Sequence, residues 1–231
     1  MISVLTWNLN GLDDRRLDER AEAACLAMLL RDAPDVVLLQ EVVRRTLYAH
    51  LRPHFAAAGF VFVPAEPSTD SEYFCAAAVR GMTPRAAWTR PLPQTCMGRS
   101  LLAIEAEHQG QRWLFCTAHL ESGRDLERER RVQVAAVLEC LAAHDGPAVF
   151  GGDTNLTGEV GSLPAKGVVD AWEAAGSPPS SRLTWRPDSG RGGARFDRIW
   201  LGGRGAWRVE AVDVTEPAPV SGARVSDHRP L

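Results

Sequence analysis

The sequence predicts a layered α/β or α+β fold in which sheets pack on each other, and three observations carry that prediction. Short apolar runs of strand length are mixed with amphipathic helical segments. The two kinds of segment do not alternate strictly, as a Rossmann fold or a TIM barrel requires. A turn at Gln109-Gly110 joins two apolar runs into a hairpin, which implies antiparallel pairing.

Residues 2–7 form the first expected strand. Residues 17–31 follow as a helix with Ala24, Leu26, Ala27, Leu29 and Leu30 on its inner face and Asp18, Glu19, Arg20 and Glu22 toward water. A turn at Pro34 opens the second strand, Asp35-Val36-Val37-Leu38-Leu39-Gln40, almost wholly apolar, the pattern of a strand covered on both faces. A helix over 44–58, strands over 60–63 and 73–79, and the hairpin strands 100–106 and 112–118 come next. A long helix runs from about Asp125 to Ala143, apolar at Val134, Val137, Leu138 and Leu141, and its charged run 127–131 reads as a solvated face. Ala148-Val149-Phe150 is a buried strand ending in Gly151-Gly152-Asp153, and 183–214 holds further strands, among them 195–201. Segments 64–72, 176–192 and 215–224, rich in Pro, Ser and Gly, read as surface loops. With no internal repeat and no long linker, residues 1–231 are expected to form one domain.

Composition narrows the function. The chain has 231 residues, 45% hydrophobic and 24% charged, which excludes collagen-like, coiled-coil and disordered classes. Its net charge of −3 argues against a generic basic nucleic-acid coat, so any phosphate binding must be local. Lys166 is the only lysine among 26 cationic residues; arginine can grip phosphate bidentately, although a GC-rich genome produces the same bias. Five scattered cysteines form no Cys-x-x-Cys pair, which disfavours zinc and disulfide frameworks. No basic leader with a long apolar segment opens the chain and no run approaches a membrane span, so a soluble, cytoplasmic protein with no membrane partner is expected.

Five apolar strands run into polar residues at their ends: Trp7-Asn8, Leu39-Gln40-Glu41, Ala118-His119, Gly152-Asp153-Thr154-Asn155 and Ser226-Asp227-His228. Singly, each is more often a turn former or a satisfied structural residue. Together they supply oxygen ligands (Asn8, Glu41), a carboxylate (Asp153), an amide (Asn155) and two imidazoles (His119, His228), the inventory of hydrolytic phosphoryl chemistry. Hard oxygen donors select Mg²⁺, whereas zinc favours more His and Cys. If strand geometry continued through them, Asp153 and Asn155 at i and i+2 would point the same way. Asp197 either bridges neighbouring arginines or pairs with His228, fixing its tautomer.

This ordered set, from Thr6-Trp7-Asn8 through Leu39-Gln40-Glu41-Val42, Thr117-Ala118-His119-Leu120, Gly152-Asp153-Thr154-Asn155 and Phe196-Asp197-Arg198-Ile199 to Ser226-Asp227-His228, resembles the endonuclease/exonuclease/phosphatase superfamily. Gly11-Leu12, Glu19-Arg20-Ala21, Glu121-Ser122, Tyr73-Phe74 and Leu183-Thr184-Trp185 make it most similar to the tyrosyl-DNA phosphodiesterase 2 branch. The resemblance implies a four-layer α/β sandwich of two packed mixed sheets flanked by helices. It also implies a Mg²⁺-dependent phosphodiesterase, with Mn²⁺ as a substitute, that hydrolyses 5′-phosphotyrosyl-DNA adducts to a 5′-phosphate in DNA repair. The implied partner is a single-stranded or frayed DNA 5′ end bearing a tyrosyl adduct, and the implied state a monomer. By the same resemblance Glu41 is the main metal ligand, with Asn8 beside it and Asp227 supporting through water. Asp153 positions or deprotonates water, Asn155 binds phosphate, His119 holds a non-bridging oxygen, His228 stabilises the transition state and Asp197 orients it. Tyr73, Arg99, Trp185 and Phe196 line the DNA groove.

The chain departs from the family pattern in three places. The loop Leu156-Thr157-Gly158-Glu159-Val160 lacks an expected arginine, which implies weaker DNA affinity. No ubiquitin-binding domain precedes the catalytic domain, and three residues follow His228 where the family continues a hydrophobic strand, which implies a looser hold on His228. Competing readings are a related metal-dependent nuclease or phosphatase acting on abasic DNA, nucleotides or small phosphodiesters, and a non-enzymatic scaffold.

Overall fold

A computed structural model of the protein describes residues 1–63, 72–157, 167–204 and 207–231. Two strands set its frame. In β1 (Val4–Asn8) Leu5 and Trp7 turn to one side and Thr6 to the other, and β2 (Val36–Val43) pairs with it in parallel, Thr6 opposite Leu38 and Asn8 opposite Gln40. The alternation of β2 places Val37 and Leu39 under helices while Val36 and Leu38 face a second sheet, which is why the strand is apolar throughout. With β4 (Tyr73–Val79) and β3 (Val61–Val63), antiparallel additions, these strands make a four-stranded sheet in the order β1-β2-β4-β3.

The second sheet has six strands, in the order β5-β6-β7-β8-β10-β9. The expected hairpin is β6 (Ser100–His108) with β7 (Gln111–Ala118), and Gln109 and Gly110 both take positive φ, 51° and 75°, as a tight two-residue hairpin turn requires. Strand β8 (Pro147–Asp153) runs parallel to β7, and β10 (Asp197–Gly203) antiparallel to β8. The edge strands β5 (Thr83–Pro91) and β9 (Val169–Asp170) escape a sequence reading. Strand β5 is largely exposed and carries Pro84 and Pro91, which suit an edge and weaken a strand signal.

Helix α1 (Leu17–Leu26), prolonged by a π-helical stretch Ala27–Asp32, and a helical run α2 (Arg44–Thr46), Leu47–Leu51 and α3 (Arg52–Ala57) cover the four-stranded sheet. Ala24, Cys25, Met28, Leu47, Leu51 and Phe55 pack there on Leu5, Trp7, Val37 and Leu39. Helix α4 (Glu127–Ala143) covers the other sheet through Val134, Val137, Leu138 and Leu141, each contributing about 1.5–3 kcal/mol on burial. The layers are therefore helix, sheet, sheet, helix, with Val36, Leu38, Ile104, Phe115 and Val149 in the seam between sheets. Short helices Arg124–Leu126, α5 (Ala171–Ala174) and Pro179–Ser181 complete the described elements.

Three expectations are corrected. The inner face of α1 is Leu17, Arg20, Ala21, Ala24 and Cys25, whereas Leu26 and Leu30 are exposed. Arg20 goes inside because its guanidinium finds the carbonyls of Leu9 (3.3 Å), Asn10 (3.1 Å), Arg15 (3.0 Å) and Val225 (2.9 Å), and that of Asp13. In the charged run of α4, Arg130 is buried, donating to the Glu121 carbonyl at 3.2 Å and to that of Gly123. Within 183–214 the one extended strand among the described residues is β10; beyond it Trp207, Val209 and Val212 pack on the seam without strand pairing. The loop 176–192 carries the short Pro179–Ser181 turn and, at Trp185, isolated antiparallel bridges to Ala194 and His228, while 64–71 and 158–160 lie outside the described residues.

Candidate active site

The ends of β1, β2, β7 and β8 and the start of β10 meet at one edge of the two packed sheets. Asn8 closes β1, His119 follows β7 and bridges to Asp153 at the end of β8, and Asp197 opens β10 directly opposite Asp153. Glu41 sits where the pairing of β2 with β4 shifts register between Leu39 and Val42, with φ of 51°. That bulge turns Glu41 out of the regular alternation, leaving Gln40 to point between the sheets, where its amide donates to Thr6 Oγ1 (3.0 Å) and Thr117 Oγ1 (2.9 Å). Gly11 makes room for the bulge: a Cβ there would lie 2.1 Å from the Glu41 carbonyl oxygen. Gly152 does the same for β8, since a Cβ would lie 2.4 Å from the Ala118 carbonyl oxygen.

Asp153 is the hub. Its Oδ2 accepts from Asn8 Nδ2 at 3.0 Å and stands 3.4 Å from His119 Nε2 and 3.6 Å from His228 Nε2. Its Oδ1 accepts the Asn155 backbone N–H at 3.0 Å. Asn8 Nδ2 also donates to Glu41 Oε1 at 3.0 Å, so one amide spans two carboxylates, while Asn8 Oδ1 accepts from the Asn10 N–H at 2.9 Å. Asn155 does not continue the strand: its φ is 50°, and its side-chain amide donates to the Leu120 carbonyl at 3.2 Å. The i, i+2 alternation is replaced by a turn closed on Asp153, the conformation that Asn tolerates and most residues do not.

His228 reaches the site from the C-terminal segment. Its Nδ1 lies 2.8 Å from Asp197 Oδ2, its backbone N–H donates to Ser226 Oγ (3.1 Å), and its carbonyl accepts from Trp7 Nε1 (3.0 Å). Ser226 Oγ in turn donates to the Asn8 carbonyl (2.7 Å), and Leu231 exchanges two backbone hydrogen bonds with Thr6 (2.9 and 3.1 Å). Thr184 Oγ1 accepts the Asp197 N–H at 3.0 Å.

The electrostatics separate the two imidazoles. Burial lowers His119 to about 4, so it is neutral near pH 7. Burial also opposes charge on His228, but Asp197 and Asp153 overcome it and raise the group to about 10, so it is an imidazolium. Burial pushes the Asp197 carboxyl up. For Asp153 burial is outweighed by His119, His228 and the Asn8 amide, and the carboxyl falls below its ordinary value. Burial, with the charges of Asp153 and Asp227, pushes Glu41 up against the opposing Asn8 hydrogen bond.

The four residues expected along a groove flank this centre in two pairs. Arg99 is buried, donates to the Tyr73 hydroxyl at 2.7 Å, and sits over the Tyr73 ring; that ring lies 6.3 Å from the His119 ring. Trp185 and Phe196 have ring centroids 5.1 Å apart, Phe196 lies 6.3 Å from His228, and Trp185 Nε1 donates to Asp227 Oδ2 at 3.0 Å. Glu121, quoted in the sequence only as part of the resemblance, has a supporting role that the sequence did not assign. It is buried, and its Oε1 accepts from Thr95 Oγ1 (2.6 Å) and the N–H groups of Cys96 (2.7 Å) and Met97 (3.1 Å), shaping the loop that leads to Arg99. A glutamate directly after an apolar run and two residues past His119 is the signal that could have marked it.

The family model described as Endonuclease/Exonuclease/phosphatase family matches residues 5–228. Tyrosyl-DNA phosphodiesterase 2 of Gallus gallus is 35% identical over 216 residues, 86% of this chain and 56% of that protein. The Homo sapiens protein of the same name is 33% identical over 216 residues, 87% of this chain and 58% of its own length. The chain thus spans a little over half the length of these curated relatives. The crystal structure of D. rerio TDP2 complexed with single strand DNA product is similar at a TM-score of 0.86 and 29% identity, covering 99% of this chain and 96% of that one.

Proposed function

The chain belongs to the endonuclease/exonuclease/phosphatase family, and on that premise we propose that it is a Mg²⁺-dependent phosphodiesterase that releases tyrosine from DNA 5′ ends, leaving a 5′-phosphate. The observation that carries the proposal is the Asp153 carboxylate, bracketed by a neutral and a cationic imidazole and joined through Asn8 to Glu41. The similarity to tyrosyl-DNA phosphodiesterase 2 along most of the chain supports the choice of substrate.

The family is divalent-metal dependent, and the residues fit such an ion. Glu41, Asn8 and Asp227 supply hard oxygen donors, and burial with the charges of Asp153 and Asp227 pushes the Glu41 carboxyl up despite His228, so a dication there would favour its anion. Glu41 would hold Mg²⁺, with Asn8 and Asp227 in support, and the ion would supply positive charge to offset that of the phosphate.

The protein's own groups do the remainder. Asp153, anionic at neutral pH, accepts a proton from the attacking water and orients it, while its contact with Asn8 holds the carboxylate in register with Glu41. Water adds to phosphorus as the phosphorus–phenol oxygen bond breaks, so the products are tyrosine and a DNA 5′-phosphate. The His228 imidazolium, oriented by Asp197, offers Nε2–H to a non-bridging oxygen as its charge builds. His119 holds a second phosphate oxygen, and Asn155 contributes its amide to the same group. Arg99 with Tyr73, and Trp185 with Phe196, line the path of a single-stranded or frayed DNA end, where an aromatic face stacks a base for roughly 1–3 kcal/mol.

The test is release of 5′-phosphate from an oligonucleotide carrying a 5′-phosphotyrosine, with Mg²⁺, Mn²⁺ or EDTA, beside an abasic duplex. Turnover that needs the metal, prefers the tyrosyl end and is lost in Asp153→Asn is the expected result. Cleavage of the abasic duplex alone would replace the substrate while keeping the chemistry.

A further inference from the structure

We propose that Glu22, His50 and His54 form a second metal site, on the helical layer, that takes a first-row dication of the imidazole-binding class, Zn²⁺ above all. His50 and His54 stand four residues apart on the continuous helical run from Leu47 to Ala57, and so share a face. Glu22 reaches that face from α1. Its Oε2 lies 3.2 Å from His50 Nδ1 and 2.8 Å from His54 Nε2, and one ligand atom from each of the three residues lies within 4.8 Å of the others. Tetrahedral zinc with bonds of about 2.0–2.1 Å needs ligand atoms roughly 3.3 Å apart, so small side-chain movements suffice.

The second observation concerns His50's other nitrogen. His50 Nε2 lies 3.2 Å from Asp18 Oδ1, and Asp18 is itself held by Arg45. His50 thus meets a carboxylate with each ring nitrogen, Glu22 at Nδ1 and Asp18 at Nε2. With a dication in place, the proton on Nε2 stays toward Asp18, and the Nδ1 lone pair, freed of any proton, turns to the metal beside Glu22 Oε2. A dication there binds Nδ1, Oε2 and His54 Nε2 together. The Asp18–His50 pair then has the form of the carboxylate that orients a metal-bound imidazole.

Two nitrogens, one oxygen and no thiolate suit zinc, copper or nickel, whereas Mg²⁺ prefers oxygen, so the catalytic cation does not compete. Side-chain exposures of 19%, 36% and 42% for His50, His54 and Glu22 leave the cluster open to ions and to a completing water. The bound ion would tie α1 to the Leu47–Ala57 run.

The test is calorimetric titration of Zn²⁺ into the full chain in saturating Mg²⁺, wild type beside His54→Ala, Glu22→Gln and Asp18→Asn. Because His119 and His228 also attract zinc, the difference between proteins is the readout. Wild type should bind one tight equivalent more than His54→Ala or Glu22→Gln, and Asp18→Asn should weaken that equivalent about 10- to 100-fold. At a hundredfold excess over Kd, zinc should raise the wild-type Tm by roughly 5–10 °C more than that of His54→Ala. With Cu²⁺, nitrogen hyperfine splitting from two imidazoles at this equivalent should drop to one. Equal stoichiometry, affinity and Tm shift in wild type and His54→Ala would overturn the proposal. His54 is half-buried and lies outside the apolar core, so that variant keeps the test available if Glu22→Gln does not fold.

Discussion

His228 Nδ1 lies 2.8 Å from Asp197 Oδ2, with both residues buried, and the opposite ring nitrogen faces Asp153 at 3.6 Å. The pair fixes which nitrogen points at Asp153 and keeps the imidazole charged, with its pKa raised to about 10. A raised imidazole contributes stability that is complete below its unfolded value near 6.5 and is lost as pH rises through about 10.

Asp197→Asn removes the largest of the three carboxylate effects on His228, those of Asp197, Asp153 and Asp227. Its proton should then leave at lower pH, and the alkaline limb of kcat/KM should move toward neutrality, with a rate loss on the order of a hundredfold at pH 8. A pH–rate profile on the 5′-tyrosyl oligonucleotide checks this. An unmoved alkaline limb would place the charge elsewhere.

Gly11→Ala brings a Cβ within 2.1 Å of the Glu41 carbonyl oxygen, a contact between backbone and Cβ that no rotamer relieves. The bulge carrying Glu41 must shift, and a displacement near 1 Å costs on the order of a hundredfold in rate. Activity should fall by that factor and require more Mg²⁺ for half-saturation, while circular dichroism stays that of wild type. Wild-type metal dependence would show that the bulge has room to move.

Arg20→Lys keeps the charge but loses the forked donors that reach Leu9, Asn10 and Val225. Those carbonyls join the segment after Asn8 to the one before His228, so stability should fall by about 3–5 kcal/mol, measured by urea unfolding. A loss below about 1 kcal/mol would mean that water replaces the guanidinium.

Glu121→Ala leaves the Thr95 hydroxyl and two backbone N–H groups without their acceptor. The loop leading to Arg99 should relax, raising KM for an oligonucleotide about tenfold and leaving turnover of a small chromogenic phosphodiester nearly intact. Equal loss on both substrates would assign Glu121 to the fold as a whole instead.

Metal removal should separate function from folding. The core is built from Trp7, Leu38, Phe55, Phe115 and Phe150, none of them a ligand, so EDTA should abolish turnover and leave the far-ultraviolet dichroism unchanged. Collapse of the dichroism would make the cation structural.

Apolar periodicity is a one-dimensional property, and it located several elements well although it misread which side of α1 faces inward. The strand 73–79, the Gln109-Gly110 hairpin and the helix ending at Ala143 occur as read. The polar residues that end apolar strands, Asn8, Glu41, His119 and Asp153, are singly ordinary turn formers but stand out by their coincidence along the chain, and they gather at one edge. Tertiary structure alone decided what happens to a polar group whose partners are distant in sequence. Arg20 is buried because carbonyls as far away as Val225 satisfy it, and Glu121 because Thr95, Cys96 and Met97 donate to it. Asn155 departs from strand geometry because Asp153 and Leu120 hold it in a turn. Glu22, His50 and His54 become neighbours only when α1 packs beside the Leu47–Ala57 run. Burial of an apolar side chain needs only an inside, which periodicity announces, whereas burial of a polar one needs particular partners, and those exist only after the chain has folded.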